Sequence, residues 1–264
     1  MTTTTHRFPG AEPVSLHLLV DRGSVDVVAT DTDEVLVDIT SRHDEEVYRV
    51  VFAEAGRHLS IEPIRRWRSH PRVSITVRVP TGSSLDAQTA SAHVEVRGPL
   101  ASAQVRTASG SIALDQVEGP VEASSASGGV RVGTVGSTLA FTSASGSLRA
   151  DHVRGDCEAR TASGSITIGT AEADVAAKSV SGSVKVGEAR AGTLDLHATS
   201  GSIGVGVRRG TLVWLDVTSV AGRVTSNLTD ESSPGSSEHP LHLRAHSVSG
   251  SIQIASAGSP ASMG

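Results

Sequence analysis

The sequence predicts an all-β chain: a parallel β-solenoid of 18-residue coils, read as a right-handed β-helix, behind an N-terminal β-meander or sandwich-like capping segment. Three observations predict it. Six-residue blocks recur as TASGSI (107–112), SASGGV (125–130), SASGSL (143–148), TASGSI (161–166) and SVSGSV (179–184), which puts Gly110, Gly128, Gly146, Gly164 and Gly182 at one constant interval. The apolar residues within each repeat follow neither a helical period nor the strict alternation of one long strand. Only six of 264 residues are aromatic, so burial has to come from stacking many small coils rather than from one core of large side chains.

Counting from Ile112 as zero, apolar residues fall at offsets 0, 2, 5, 9, 11 and 14: Ile112, Leu114, Val117, Val121, Ala123 and Ala126, then Val130, Val132, Val135, Leu139, Phe141 and Ala144. The same offsets give Leu148, Ala150, Val153, Cys157, Ala159 and Ala162, and after them Ile166, Ile168, Ala171, Val175, Ala177 and Val180. A step of two is a strand showing both residues to one face. Steps of three and four are corners. Each offset then becomes a column of like residues about 4.8 Å apart. A left-handed hexapeptide helix would place an inward residue every six positions, which this pattern does not, so the right-handed coil is favoured. Looser copies follow at Gly201, Gly222 and Gly250, and a degenerate one, TASAHV (89–94), precedes with Ala92 in the glycine position.

Residues 81–255 are thus read as the solenoid, with a loop inserted at 229–239 (TDESSPGSSEH). The stretch 14–80 holds strand-like runs at 14–20, 24–29, 35–40, 47–53, 59–64 and 73–79 separated by turn signals such as Asp21-Arg22-Gly23, but no 18-residue period. It is expected to cover the first coil, whose edge would otherwise be open. Residues 1–13 and 256–264 are expected to be disordered.

The segment VPTGSSLDAQTAS (79–91), the SGSI repeats, and WLDVTSVAGRV…HLRAHSVSGSI (214–252) resemble a family of bacterial β-strand-repeat proteins considered candidate adhesins, a domain of unknown function, in its cytoplasmic actinobacterial form. The resemblance spans nearly the whole chain. It implies the β-repeat fold and carries no catalytic motif, so no site residue is transferred from it.

Composition narrows function further. A net charge of −5 gives no reason to expect a nucleic-acid partner. No apolar run reaches the roughly 18–20 residues that span a bilayer, and Met1–Val20 lacks a signal-peptide pattern, so a cytoplasmic chain without a membrane partner is expected. One cysteine excludes an intramolecular disulfide and a multi-cysteine zinc site. Cys157, at an inward offset, is expected to be an inert buried thiol.

Three sets of residues are candidates for interaction. The first is the row Ser109, Ser127, Ser145, Ser163 and Ser181, flanked by Thr107, Ser125, Ser143, Thr161 and Ser179 on one side and Ser111, Ser147, Ser165 and Ser183 on the other. Such rows suit a tight hydrated face and, as an alternative, a glycan-binding array; their preference for Ser over Thr argues against ice. The second is the basic run Arg65, Arg66, Trp67 and Arg68. The third is the C-terminal end, where Ile252 and Ile254 close the last coil in sequence. Glu122, Glu158 and Asp195 lie near one offset, but in roughly alternate coils about 10 Å apart, slightly beyond the span of paired glycosidase carboxylates, and are read as scattered surface charge. His242 and His246 share a strand face roughly 13 Å apart, too far to chelate one ion alone. No cofactor, metal site or catalytic group is expected. The resulting expectation is a non-catalytic scaffold that contacts an unidentified protein or a second copy of itself. A carbohydrate-binding or carbohydrate-active β-helix is the alternative.

Overall fold

The computed structural model describes residues 2–41, 48–53, 57–64, 72–228 and 240–257. Steps of two, three and four fold here as two short strands per coil joined by two corners, and no helix occurs among the described residues. The chain forms two compact units, 1–135 and 136–264. Each contains stacked coils of a parallel β-solenoid, and the first adds antiparallel strands.

The first unit contains β1 (Thr2–Pro9), β2 (Ser15–Thr30), β3 (Glu34–Ser41), β4 (Tyr48–Ala53), β5 (His58–Pro63), β6 (Val73–Pro80), β7 (Ser84–Leu100), β8 (Ser102–Thr107), β9 (Ile112–Val117), β10 (Val121–Ser125) and β11 (Val130–Val135). The long strand β7 supplies both sides of a coil. Its first half pairs with β8 (Leu85 opposite Ala103) and its second half with β9 (Val94 opposite Ile112). β10 then stacks on β8 (Val121 opposite Ala103) and β11 on β9 (Val130 opposite Ile112), each one period further along the chain.

The N-terminal region departs from a simple meander. β2 is itself a solenoid coil, parallel to β7 from Ser15 opposite Ser84 to Val28 opposite Arg97. The sequence hid it because four other strands intervene, so its partner lies several periods away instead of one. Parallel strands cover this coil and antiparallel ones lie beyond them: β6 lies parallel beside the second half of β2, β3 antiparallel on β6, and β1 antiparallel on β3. β5 lies beside the first half of β2, with β4 antiparallel on β5. Residues 2–9, expected to be disordered, are therefore a strand. Their Thr3 and Thr5 hydroxyls bond Thr40 (3.0 Å) and Asp38 (2.6 Å).

The second unit contains β12 (Leu139–Ser143), β13 (Leu148–Val153), β14 (Cys157–Thr161), β15 (Ile166–Ala171), β16 (Val175–Ser179), β17 (Val184–Ala189), β18 (Gly192–Ala198), β19 (Ile203–Val207), β20 (Val213–Ser219), β21 (Val224–Asn227), β22 (Leu241–Ser247) and β23 (Ile252–Ser256). Even-numbered strands up to β18 stack as one side of the coil and odd-numbered ones up to β19 as the other. Columns such as Ile166, Val184, Ile203 and Ile252 are fully buried. Ser256, expected to open a disordered tail, is the last residue of β23 and is buried.

The order then inverts. β22 pairs with β18 and β23 with β19, while β20 and β21 stack on the outer side of β22 and β23. The last coil in sequence is thus the penultimate coil in space. The pattern of side chains accounts for it: Leu241, Leu243, Ala245, Ile252 and Ile254 suit a coil covered on both sides, whereas the 213–227 coil has Ser226 at the column position held by Ile254.

One offset also needs correction. Ala126, Ala144, Ala162 and Val180 are exposed, Val180 at 53%, while the preceding residues Ser125, Ser143, Thr161 and Ser179 are buried. These hydroxyls face inward because the corner gives them partners. Ser125 Oγ accepts from Gly128 N (2.7 Å) and Ser143 Oγ from Gly146 N (2.7 Å). Thr161 Oγ1 donates to Gly146 O (3.0 Å) and Ser179 Oγ to Gly164 O (2.9 Å). A satisfied hydroxyl can occupy a core position at little cost.

Candidate interaction surfaces

The corner just described decides which serines are available to a partner. Thr107, Ser125, Ser143, Thr161 and Ser179 belong to the fold, each engaged in stitching the turn. Ser109, Ser127, Ser145, Ser163 and Ser181 are exposed at the same corner. The hydroxyls of Ser109 and Ser127 make long contacts, 3.4 Å, to carbonyls of the preceding coil, whereas their backbone N–H groups bond the same carbonyls at 2.9 Å. Gly110, Gly128, Gly164 and Gly182, which follow four of them, are pinned against backbone: a Cβ on Gly128 would lie 1.8 Å from Gly110 O, and one on Gly182 2.0 Å from Gly164 O. Within each unit the exposed serines therefore stand on fixed backbone as small hydroxyls.

The second surface is the outer end of the 213–227 coil. Ile252 and Ile254, expected at the end of the solenoid, are 0% and 2% exposed because β21 covers them. They are core residues and cannot meet a partner. The residues in their place are Val224, 46% exposed, and Leu215, 43% exposed, which continue the inward columns of Ile252 and Leu243. Leu212 and Trp214 add exposed apolar surface, with Trp214 64% exposed and its indole stacked on His242 at 6.4 Å. β20 and β21 have a strand neighbour on one side only among the described residues. The sequence did carry a signal for this inversion: Ser226, a polar residue in an otherwise apolar column.

Arg65, Arg66, Trp67 and Arg68 lie outside the described residues, as do the expected loop 229–239 and the tail from 258.

The carboxylates considered as a catalytic set are engaged separately. Glu122 accepts from Gln104 Nε2 (2.6 Å) and Arg106 (3.3 Å), Glu158 pairs with Arg160, and Asp195 pairs with His197 Nε2 at 2.9 Å. Glu158 and Asp195 are two coils apart, with Ala176 between them. A stronger charge cluster is Glu172, held by His152 (3.0 Å) and Arg190 (2.6 Å), with Arg190 also on Glu188 (2.9 Å). The His152 hydrogen bond, aided by Arg190, lowers the Glu172 pKa. This is a surface ion network of ordinary character.

His242 and His246 both point outward from β22 but meet different neighbours: Trp214 for the first, His197 at 5.2 Å for the second. No group of three potential metal ligands converges among the described residues. Cys157 is buried, and burial pushes its thiol pKa up to about 12. It is a packing residue, as its inward offset indicated.

The family model of Toastrack DUF4097 matches residues 15–257. The chain belongs to this family. The matched span takes in β2, which supports its place within the repeat domain. Among solved structures, a candidate adhesin from Parabacteroides merdae shares 10% identity over 96% of this chain and 95% of its own, at a TM-score of 0.46. Another from Parabacteroides distasonis shares 12% identity over 96% and 97%, at 0.44. A candidate lipid-binding protein from P. distasonis shares 16% identity over 96% and 94%, at 0.42. No curated protein matches the chain.

Proposed function

We propose that this Toastrack chain is a non-catalytic scaffold that joins a second copy of itself through the outer face of the 213–227 coil. One observation carries the reading. The columns that bury Leu243 and Ile252 continue into Leu215 and Val224, which are nearly half exposed on a coil whose strands have an open edge among the described residues. An open parallel edge with apolar columns beside it favours further strand pairing. A second copy offers the same columns and the same edge, so a two-fold arrangement is self-complementary, with β20 antiparallel to its counterpart.

Sedimentation velocity over a concentration series tests this. The wild type is expected to pass from monomer to dimer as concentration rises. Leu215→Lys with Val224→Lys should stay monomeric and still melt cooperatively, because both positions are already wet. A wild type that remains monomeric at high concentration overturns the assembly. Specific turnover of any member of a glycan panel overturns the non-catalytic reading.

A further inference from the structure

In the first unit, the glycine corner of β2 and β7 opens into a cleft of about 730 Å³. Its lining comes from five segments. β2 gives Arg22 and Ser24, β3 gives Thr40 and Ser41, and β6 gives Ser74, with Arg72 just before it. β7 gives Ser91 and His93, and the next corner gives Ser109 and Ser111.

The backbone leaves this space open for a definite reason. Gly23 takes φ +130, and a Cβ on it would lie 1.7 Å from Val73 O. β2 and β6 thus approach closely at the base, which fixes Arg22 and Arg72 on neighbouring strands, each flanking the paired positions Gly23 and Val73.

The charge of the lining is one-sided. The side chains of Arg22 and Arg72 make no hydrogen bond or ion pair among the described residues. No carboxylate is among the described residues that line the cleft. Glu95 lies 3.9 Å from His93 Nε2 and is already held by Arg97 at 2.6 Å. His93 itself is tied by Nδ1 to Ser111 Oγ (2.7 Å), and Ser24 to Ser74 (3.0 Å). Two guanidinium groups with no side-chain partner among the described residues thus line a hydroxyl-rich concavity. Guanidinium forks match the oxygens of a tetrahedral anion, and hydroxyls supply further donors.

We propose that this cleft binds an oxyanion, the phosphate or sulfate group of a ligand, between Arg22 and Arg72. The surrounding Ser24, Ser74, Ser109 and Ser111 hydroxyls complete its hydrogen bonds. The site is in the first unit and does not depend on self-association through the 213–227 coil.

Titration calorimetry of the full chain at low salt, with inorganic phosphate and with sulfate, tests the site. Co-sedimentation with phosphatidylcholine vesicles, with and without phosphatidic acid, identifies the source of the anion. The wild type is expected to bind, and Arg22→Gln with Arg72→Gln to weaken binding at least ~10-fold without lowering the melting temperature, since both side chains are exposed. Arg78→Gln, also exposed on β6 but outside the lining, should bind as the wild type does. Binding of free phosphate or sulfate without vesicle sedimentation assigns a soluble ligand. Sedimentation specific to phosphatidic acid and lost in the double variant assigns a lipid headgroup. Absence of binding to every probe, or equal binding by the double variant, overturns the proposal.

Discussion

Gly164 lies against the backbone of Gly146 one coil earlier: a Cβ built on Gly164 would sit 2.0 Å from the Gly146 carbonyl oxygen. The same oxygen accepts the Thr161 hydroxyl at 3.0 Å. Gly164 does not have positive φ, so glycine is required by close approach and not by backbone conformation. A side chain there must push two coils apart. Gly164→Val should lower the melting temperature sharply, whereas Ser163→Ala at the exposed corner should change stability by no more than about 0.5 kcal/mol. Equal effects in thermal melts would mean that the corner is looser than the backbone indicates.

The column assignment makes a harsher case. Ile166 is fully buried between Leu148 and Val184. Ile166→Asp places a carboxylate among apolar neighbours with no cation in the column, and should cost more than about 4 kcal/mol or prevent folding. Thr167→Asp, one residue on and facing outward, is the control. It should express and melt nearly as the wild type does.

Much of this is legible in the sequence because a solenoid writes its geometry as a fixed spacing. Gly110 to Gly182 set the coil length, and the columns through Ile112, Leu114, Val117, Val121 and Ala123 follow from it. The departures share one physical cause. A repeat shows which residues are equivalent, not which coils touch. β2 meets β7 with Ser15 opposite Ser84, far outside one period, and the coil at 241–256 slips between those at 192–207 and 213–227. Both events depend on long-range stacking, which spacing does not encode. The misplaced offset, Ala126 for Ser125, arises because apolar character stands in for inwardness. At this corner the inward residue is a hydroxyl that the turn itself satisfies.

Cys157 gives a chemical test of the interior. Its thiol is 2% exposed and its pKa is raised to about 12 by burial, helped by the neighbouring Glu158 charge. The thiolate, not the thiol, reacts. Iodoacetamide at pH 8 should therefore leave Cys157 unmodified in the folded chain and alkylate it rapidly in denaturant. The folded pKa lies above the unfolded value near 9.0, so this contribution to stability is intact below about pH 9 and is lost as pH rises toward 12. Cys157→Ser should flatten that alkaline decline.

The inverted order of the last coils makes the most discriminating prediction. Ile254 and Ser226 are paired neighbours on β23 and β21, and stacking order decides which of them is covered. If coils stacked in the order of the chain, the 213–227 coil would be sandwiched and Ser226 would sit in the core, with Ile254 at the open end. Here Ile254 is 2% exposed, with Val205 on one side and Ser226 on the other, and Ser226 is exposed. Ile254→Ala should then cost roughly 2–5 kcal/mol, the transfer loss plus a cavity between two coils. Ser226→Ala should stay within about 0.5 kcal/mol, since no buried hydrogen bond is lost. Ser226→Ile extends the exposed column formed by Leu215 and Val224, so it should leave folding intact and strengthen self-association in sedimentation velocity. Denaturant melts of the two alanine variants are sufficient to decide the order: a large cost at Ser226 with a small one at Ile254 would require sequential stacking, and the opposite result places the chain's final strands inside the solenoid.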